Sequence, residues 1–294
     1  VTPREQLQSQ PELRSQRSFP SFTQVGAKPR SPLEKFLSIF ADIRAGEGVT
    51  TILLTLNVFL LLGGYYLLKT ARESLILSEG GAQIKSYSSA LQAILLLLVV
   101  PAYGWVASRV KRVRLVTGVM LFFALHLVLF FLAGRQGARE GIAFFVWVGI
   151  FNVFVISQVW AFANDLFTES QGKRLFPFIG IGSSLGAWLG AQAAGQIVKG
   201  SDPYLLMLLG AGVLLICAAL VYAVDRLEAS RADQAWTAAA EKPLGNSGGF
   251  ELVLSDSYLR WIAILMVLLN VVNSSGEYLL GNLVVDAAKA ATVT

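Results

Sequence analysis

The chain has little of what most protein chemistry uses. Among its 294 residues there is one cysteine, Cys217, and one histidine, His126. A lone cysteine excludes an internal disulfide framework and a thiolate metal cluster. A lone histidine with scattered acids excludes the usual metal-hydrolase ligand sets, so no metal site and no cofactor is expected. His126 reads instead as a packed or hydrogen-bonded residue. Charge is also scarce: Asp, Glu, Lys and Arg make up 15% of the chain, against about 25% in soluble domains. What is abundant is apolar. Hydrophobic residues make up 54%, and the mean hydropathy is +0.59. They fall in repeated runs of about 20, the length that crosses a bilayer. The formal charge of +5 does not imply nucleic acid. The Lys and Arg residues cluster in the short connectors between runs, where they set membrane orientation.

Residues 1–48 are polar and carry Pro3, Pro11, Pro20, Pro29 and Pro32. No short apolar core with a small-residue cleavage site stands near the start, so no cleaved signal peptide is expected. Residues 1–30 read as a disordered tail. PLEKFLSIFADIRA, 32–45, is mildly amphipathic; it reads equally as a surface helix or as a lead-in to the first span. Six spans follow within residues 49–224, at about 49–68, 84–107, 115–132, 142–162, 175–197 and 204–224. Pro101 is expected to bend the second. Residues 225–257 read as a linker, and 258–285 as a seventh span. The fifth span has Gly182, Gly186 and Gly190 at small-xxx-small spacing, which suits close helix contact. The seventh turns polar in its second half, with Asn270, Asn273, Ser274, Ser275, Glu277 and Asn282. Such a helix should face protein or water rather than lipid.

Basic residues set the expected topology. Arg109, Lys111, Arg112 and Arg114, then Lys173 and Arg174, then Arg226, Arg231 and Lys242 fall on one side, against Lys69, Arg72 and Lys85, then Arg135 and Arg139, then Lys199 on the other. The first, denser side is expected to be cytoplasmic, with the N-terminus inside, in a cell inner (plasma) membrane. The fold class expected is all-α, a polytopic membrane protein.

The charges near the spans are the candidate chemistry. Lys69, Arg72 and Glu73 follow the first span, with Lys69 and Glu73 at i,i+4 on one helical face. They read either as headgroup-snorkelling ends of the span or as the lining of a polar cavity that holds an anion. Tyr65, Tyr66, Phe151 and Trp160 offer faces for stacking, and Asn152, Gln158 and Asn164 offer hydrogen bonds. Asp165 ends the fourth span beside the connector that holds Lys173 and Arg174. No histidine-rich cluster stands out, so a membrane enzyme is not expected. A lysine deep in the seventh span, as a rhodopsin-like protein would need, is absent before Lys289.

The connector GWVASRVKRVR, 104–114, resembles the major facilitator superfamily loop signature at Gly104, Arg109 and Arg112. Ser108 stands where that pattern has an aspartate, and Lys111 where it has a glycine. The resemblance implies that these basic residues hold one gate state on the cytoplasmic face. A finer resemblance covers most of residues 50–290, through YYLLKTARESLIL, GAQIKSYSSALQA, VWAFANDLFTESQGKRLFPFIGIGSSLGAWLG and SDSYLRWIAILM. These stretches resemble the ATP/ADP translocase family, which exchanges adenine nucleotides. The resemblance implies a six-helix major-facilitator-type N-terminal half plus the first helix of a second half. It implies substrate binding by Lys69, with Arg72 as a phosphate-side companion. Asp165 takes the position of an acidic residue that is usually glutamate. The family's remaining key charges would lie in the second half, and the full-length protein would be monomeric. The expected partners are the lipid bilayer and a nucleotide or other small anion. A transporter of another solute, or a non-transporting membrane module, are the alternatives.

Overall fold

The computed structural model describes residues 31–200, 202–231 and 253–293. Residues 1–30 and most of the expected linker, 232–252, lie outside the described residues. Every regular element among the described residues is helical: α1 (Pro32–Leu37), α2 (Gly48–Ala107), α3 (Arg112–Arg135), α4 (Gly141–Phe151), a π-helical turn (Asn152–Ile156), α5 (Ser157–Leu166), α6 (Glu169–Gly200), α7 (Leu205–Arg231) and α8 (Ser257–Val293).

Residues up to Gly48 and those from Val49 onward form separate compact units. In the first, α1 starts at a reciprocal capping box. The Ser31 hydroxyl accepts from the Glu34 amide at 3.2 Å, and the Glu34 carboxylate accepts from the Ser31 amide at 2.7 Å. Glu34 also accepts from Gly46 N–H at 2.6 Å, which folds the segment back on itself. The helix is shorter than the amphipathic stretch suggested, because that return bond requires the turn at Gly46, whose φ is +92°.

Among the described residues, five helices are long and apolar enough to cross a membrane: Gly48–Ala107, Arg112–Arg135, Gly141–Leu166, Leu205–Ala229 and Ser257–Val284. Together they make this a polytopic, membrane-embedded helical protein. α6 is 32 residues long but is not among the five. Its glycines and serines carry too little apolar carbon to raise its hydropathy.

The 60-residue α2 contains two arms. Only Gly81, at φ +66° and ψ −168°, leaves helical geometry; Pro101 does not break the helix. A side chain rarely adopts that φ, so glycine suits the break. The arms run in opposite directions. Along the first, Tyr65 stacks on Phe151, Arg72 lies over Phe145, and Glu79 meets Gly141. Along the second, Gln92 reaches Gly149 and Tyr103 packs on Phe154. The first span was expected to stop at residue 68, but its helix continues to the break.

Glycine sets how closely the helices approach. A Cβ on Gly186 would overlap the Phe59 carbonyl oxygen, and one on Gly190 would lie 2.5 Å from that of Gly63. A Cβ on Gly182 would lie 2.6 Å from Thr55 Cγ2. Three glycines one turn apart on α6 therefore rest on three successive turns of α2, as their spacing suggests. α7 covers another side of α2. There Asn57 donates to the Cys217 carbonyl at 2.8 Å, and Leu68 packs against Gly210.

The core lies between the first arm of α2, α3, α4 and α7. Phe144, Phe151, Leu61, Leu68, Met120 and Leu127 are fully buried there. Rings of Phe144, Trp147 and Phe151 run along one face of α4 at centroid spacings of about 6 Å. His126 packs into this aromatic group, and its Nδ1 bonds the Phe122 carbonyl at 2.8 Å. Outward faces are apolar too: Leu97, Leu98, Phe122, Leu125, Trp188 and Leu215 are exposed, as lipid contact requires.

Candidate functional site

Charges inside such a bundle need partners, because desolvation of an isolated ion is expensive. Five ionisable side chains meet where the two arms of α2 face α8. Lys85 of the second arm lies 2.7 Å from Glu73 and 3.6 Å from Glu277. Arg72 donates to Glu73 at 2.6 Å, and Lys69 stands 3.5 Å from Glu277. Three cations share two carboxylates, so the fully ionised group is one positive charge in excess.

Arg72 and Lys85 are buried. They do not snorkel to a helix end; the helix continues past Arg72, and its guanidinium lies 4.4 Å from the Phe145 ring. Among the described residues, the Arg72 Nε has no hydrogen-bond partner. Lys69 is more open, at 32% exposure, and its ammonium lies 5.8 Å from the Tyr66 ring. Beside it is an open cleft of about 410 Å³, lined by Tyr66, Lys69, Thr70, Glu73, Ser74 and Leu77. The face-to-edge pair of Tyr65 and Tyr66 leads from the cleft to Phe151. The group can therefore offer cationic donors, hydroxyls and an aromatic face to an anion.

The remaining candidates lie elsewhere. Asp165 accepts from Arg112 Nε at 2.7 Å, and Arg112 also reaches Gln158 at 3.5 Å. This pair ties the start of α3 to the end of α5, at the end of the bundle rich in basic residues. Arg109 folds onto Trp105, with its guanidinium 3.7 Å from the ring, and donates to the Trp105 carbonyl at 3.3 Å. Gly104 has open space where a Cβ would stand. Asn164 lines a separate cleft at that end with Phe167, Thr168 and Lys173. Asn152 opens the π-helical turn. The structure thus brings Lys69 and Arg72 into one network and places Asp165 in another with Arg112.

Sequence reasoning counted Lys85 only as a topology marker and Glu277 only as one polar residue of a polar helix. A charge within GAQIKSYSSALQA, next to a long apolar run, is the signal that singles out Lys85. Glu277 is the one acid between Tyr258 and Val285, which marks it in the same way.

No family model, no curated protein and no solved structure matches the chain in comparison with known proteins.

Proposed function

We propose that the chain is a secondary transporter that exchanges nucleotide-like anions, of the ATP/ADP type, by alternating access. One observation carries this reading: among the described residues, Lys69, Arg72 and Lys85 share only Glu73 and Glu277 beside an aromatic surface. A polyphosphate supplies the negative charge that the group lacks. It competes best for Lys69, whose contact with Glu277 is long and half-open. Tyr66 and the Tyr65–Phe151 stack offer faces to a base. No bond needs to form or break, so no catalytic residue is required.

The architecture suits such a cycle. α2 contributes two crossings, and α3, α4–α5, α6 and α7 complete a six-helix half of major-facilitator type over residues 49–224. α8 then begins a second half. Glu277 belongs to α8, while Lys69 and Lys85 belong to the two arms of α2. A substrate that displaces Glu277 changes the relative stability of two packings of α8, which is what alternating access needs. Arg112 and Asp165, with Arg109 and Gly104, form the gate at the basic end. That end faces the cytoplasm of a cell inner membrane by the excess of Lys and Arg.

Binding to the purified full chain tests the reading. ATP and ADP are expected to raise its melting temperature, adenosine is not, and Lys69→Ala is expected to lose the effect. If no nucleotide shifts it while another solute does, the nucleotide assignment falls. A second reading has its own observation. Asn152 and Asn164, the groups offered for a base edge, do not line the cleft at Lys69. A smaller organic anion without a base needs only the residues that do, and a solute panel in the same assay separates the two.

A further inference from the structure

The end of the bundle away from Arg112 and Asp165, where the two arms of α2 meet, holds an acidic arrangement that plays no part in the group at Lys69. Glu79 lies two residues before the Gly81 break. Both of its oxygens accept from the Gly141 amide, at 3.1 and 3.0 Å. Gly141 is the first residue of α4, so this carboxylate caps that helix from α2, where the helix dipole favours a negative charge. The fit is close: a Cβ on Gly141 would lie 2.8 Å from Glu79 Oε2.

The next residue back is Glu140. It is only 6% exposed, and among the described residues its Oε1 reaches no hydrogen-bond partner. Among the described residues neither Glu79 nor Glu140 forms an ion pair. The other charged and titratable groups at this end are Arg139 just before Glu140 and Lys199 in the last turn of α6, both exposed, Asp202 and Tyr204 before α7, and Arg135 at the end of α3. Arg135 turns to Asp202 at 3.8 Å, and both are largely exposed. The Tyr204 ring fills the space over Gly134. Burial first, then Glu140, Asp202 and Glu79, pushes the Tyr204 hydroxyl pKa up, so it remains neutral. Glu140 therefore has a negative neighbour in Glu79 and no ion-pair partner among the described residues, since Arg139, next to it in the chain, is exposed.

We propose that Glu140 binds a proton, and that this proton acts as a latch allowing Glu79 to keep its hold on the start of α4. A buried carboxylate without donors is costly, and a second one beside Glu79 adds like-charge repulsion. When Glu140 loses its proton, its carboxylate must move out or draw water in. Either change pulls on the turn that carries Gly141 and loosens the contact with Glu79. Gly81 gives α2 a place to yield. The energetic scale suits neutral conditions: burial first, then the Glu79 charge, pushes Glu140 up to about 7. The latch does not depend on which solute the group at Lys69 carries.

Infrared titration of the full chain in lipid nanodiscs tests it. The carbonyl band of a protonated carboxylic acid is expected to titrate near neutral pH and to vanish from that range in Glu140→Gln. Glu79→Gln removes the repelling charge, so the midpoint of Glu140 is expected to fall. Amide exchange supplies the second readout. Protection of Gly141, corrected for intrinsic exchange, is expected to drop by up to about tenfold from pH 6 to pH 8 in the parent, as loss of one proton coupled to local opening gives. In Glu140→Gln it is expected to stay constant. An unchanged band in Glu140→Gln, or a Gly141 protection independent of pH in the parent, overturns the proposal.

Discussion

Lys85 and Glu73 stand on opposite sides of the Gly81 break, and their side chains meet at 2.7 Å. The contact closes α2 on itself and brings the second arm into the same charged group as Lys69 and Arg72. Glu73 serves two cations, since Arg72 reaches it at 2.6 Å. Removing its charge leaves both short of a partner in a largely buried place. Glu73→Gln is therefore expected to cost about 3–5 kcal/mol, the scale for breaking a buried pair. Thermal unfolding checks it. Adding Lys85→Met removes one stranded cation and is expected to return part of the loss.

The glycine face of α6 makes a sharper contrast. Gly186→Ala and Gly190→Ala force a Cβ against α2 backbone, which cannot swing aside as a side chain does. Each is expected to lower stability by about 1–3 kcal/mol or more. Gly180→Ala and Gly195→Ala meet nothing within 4 Å and serve as neutral controls. Melting temperatures of the four variants in one detergent decide the matter. Equal effects at all four positions contradict the packing described.

Much of this fold was legible in the sequence, and the reasons are particular. Runs of apolar residues marked the positions of the helices, because crossing hydrocarbon demands length and apolarity. The spacing of Gly182, Gly186 and Gly190 marked a contact face. Sequence could not show which helix that face meets, because small-xxx-small spacing carries no partner information. The π-helical turn at Asn152–Ile156 left no residue signal of its own. At the site, the i,i+4 relation of Lys69 and Glu73 suggested a pair. The structure instead puts Lys85 and Arg72 on Glu73, and Glu277 beside Lys69. Those partners come from beyond the helix break and from a distant helix, which local spacing does not encode. Asp165 and Arg112 were both singled out, yet their pairing across 53 residues was not visible before the fold.

The Arg112–Asp165 pair should behave as a removable tie. It is partly exposed, so Asp165→Asn is expected to cost only about 1 kcal/mol of stability or less. Its effect on accessibility should be larger. A maleimide-reactive cysteine placed at Asn164 is expected to label faster in Asp165→Asn than in the parent. The swap Arg112→Asp with Asp165→Arg is expected to restore slow labelling. Faster labelling that persists in the swap excludes the ion pair as the cause.

Proton linkage supplies a further outcome with a definite sign. Glu140 is pushed up to about 7 from an ordinary value of 4.5. Between those values the folded chain holds a proton that the unfolded chain has lost. Stability therefore falls as pH rises through that window and levels off above it. Glu140→Gln is expected to flatten the slope and to be more stable than the parent at pH 8. Glu34 works the other way at lower pH. Its hydrogen bond from the Ser31 amide, above all, holds its pKa down, so protonation there removes a stabilising contact. Melting curves from pH 4.5 to pH 8 for parent and variant measure the slope.

The function proposed is exchange of a nucleotide-like anion through the group at Lys69 and Lys85. The most direct measurement is uptake of labelled ATP by vesicles containing the full chain, preloaded with ADP or left empty. Uptake is expected to need internal ADP, to be lost in Lys69→Ala and Lys85→Ala, and to survive in Gly180→Ala. Absence of uptake in loaded vesicles that carry another solute, or uptake unaffected by both lysine variants, contradicts it.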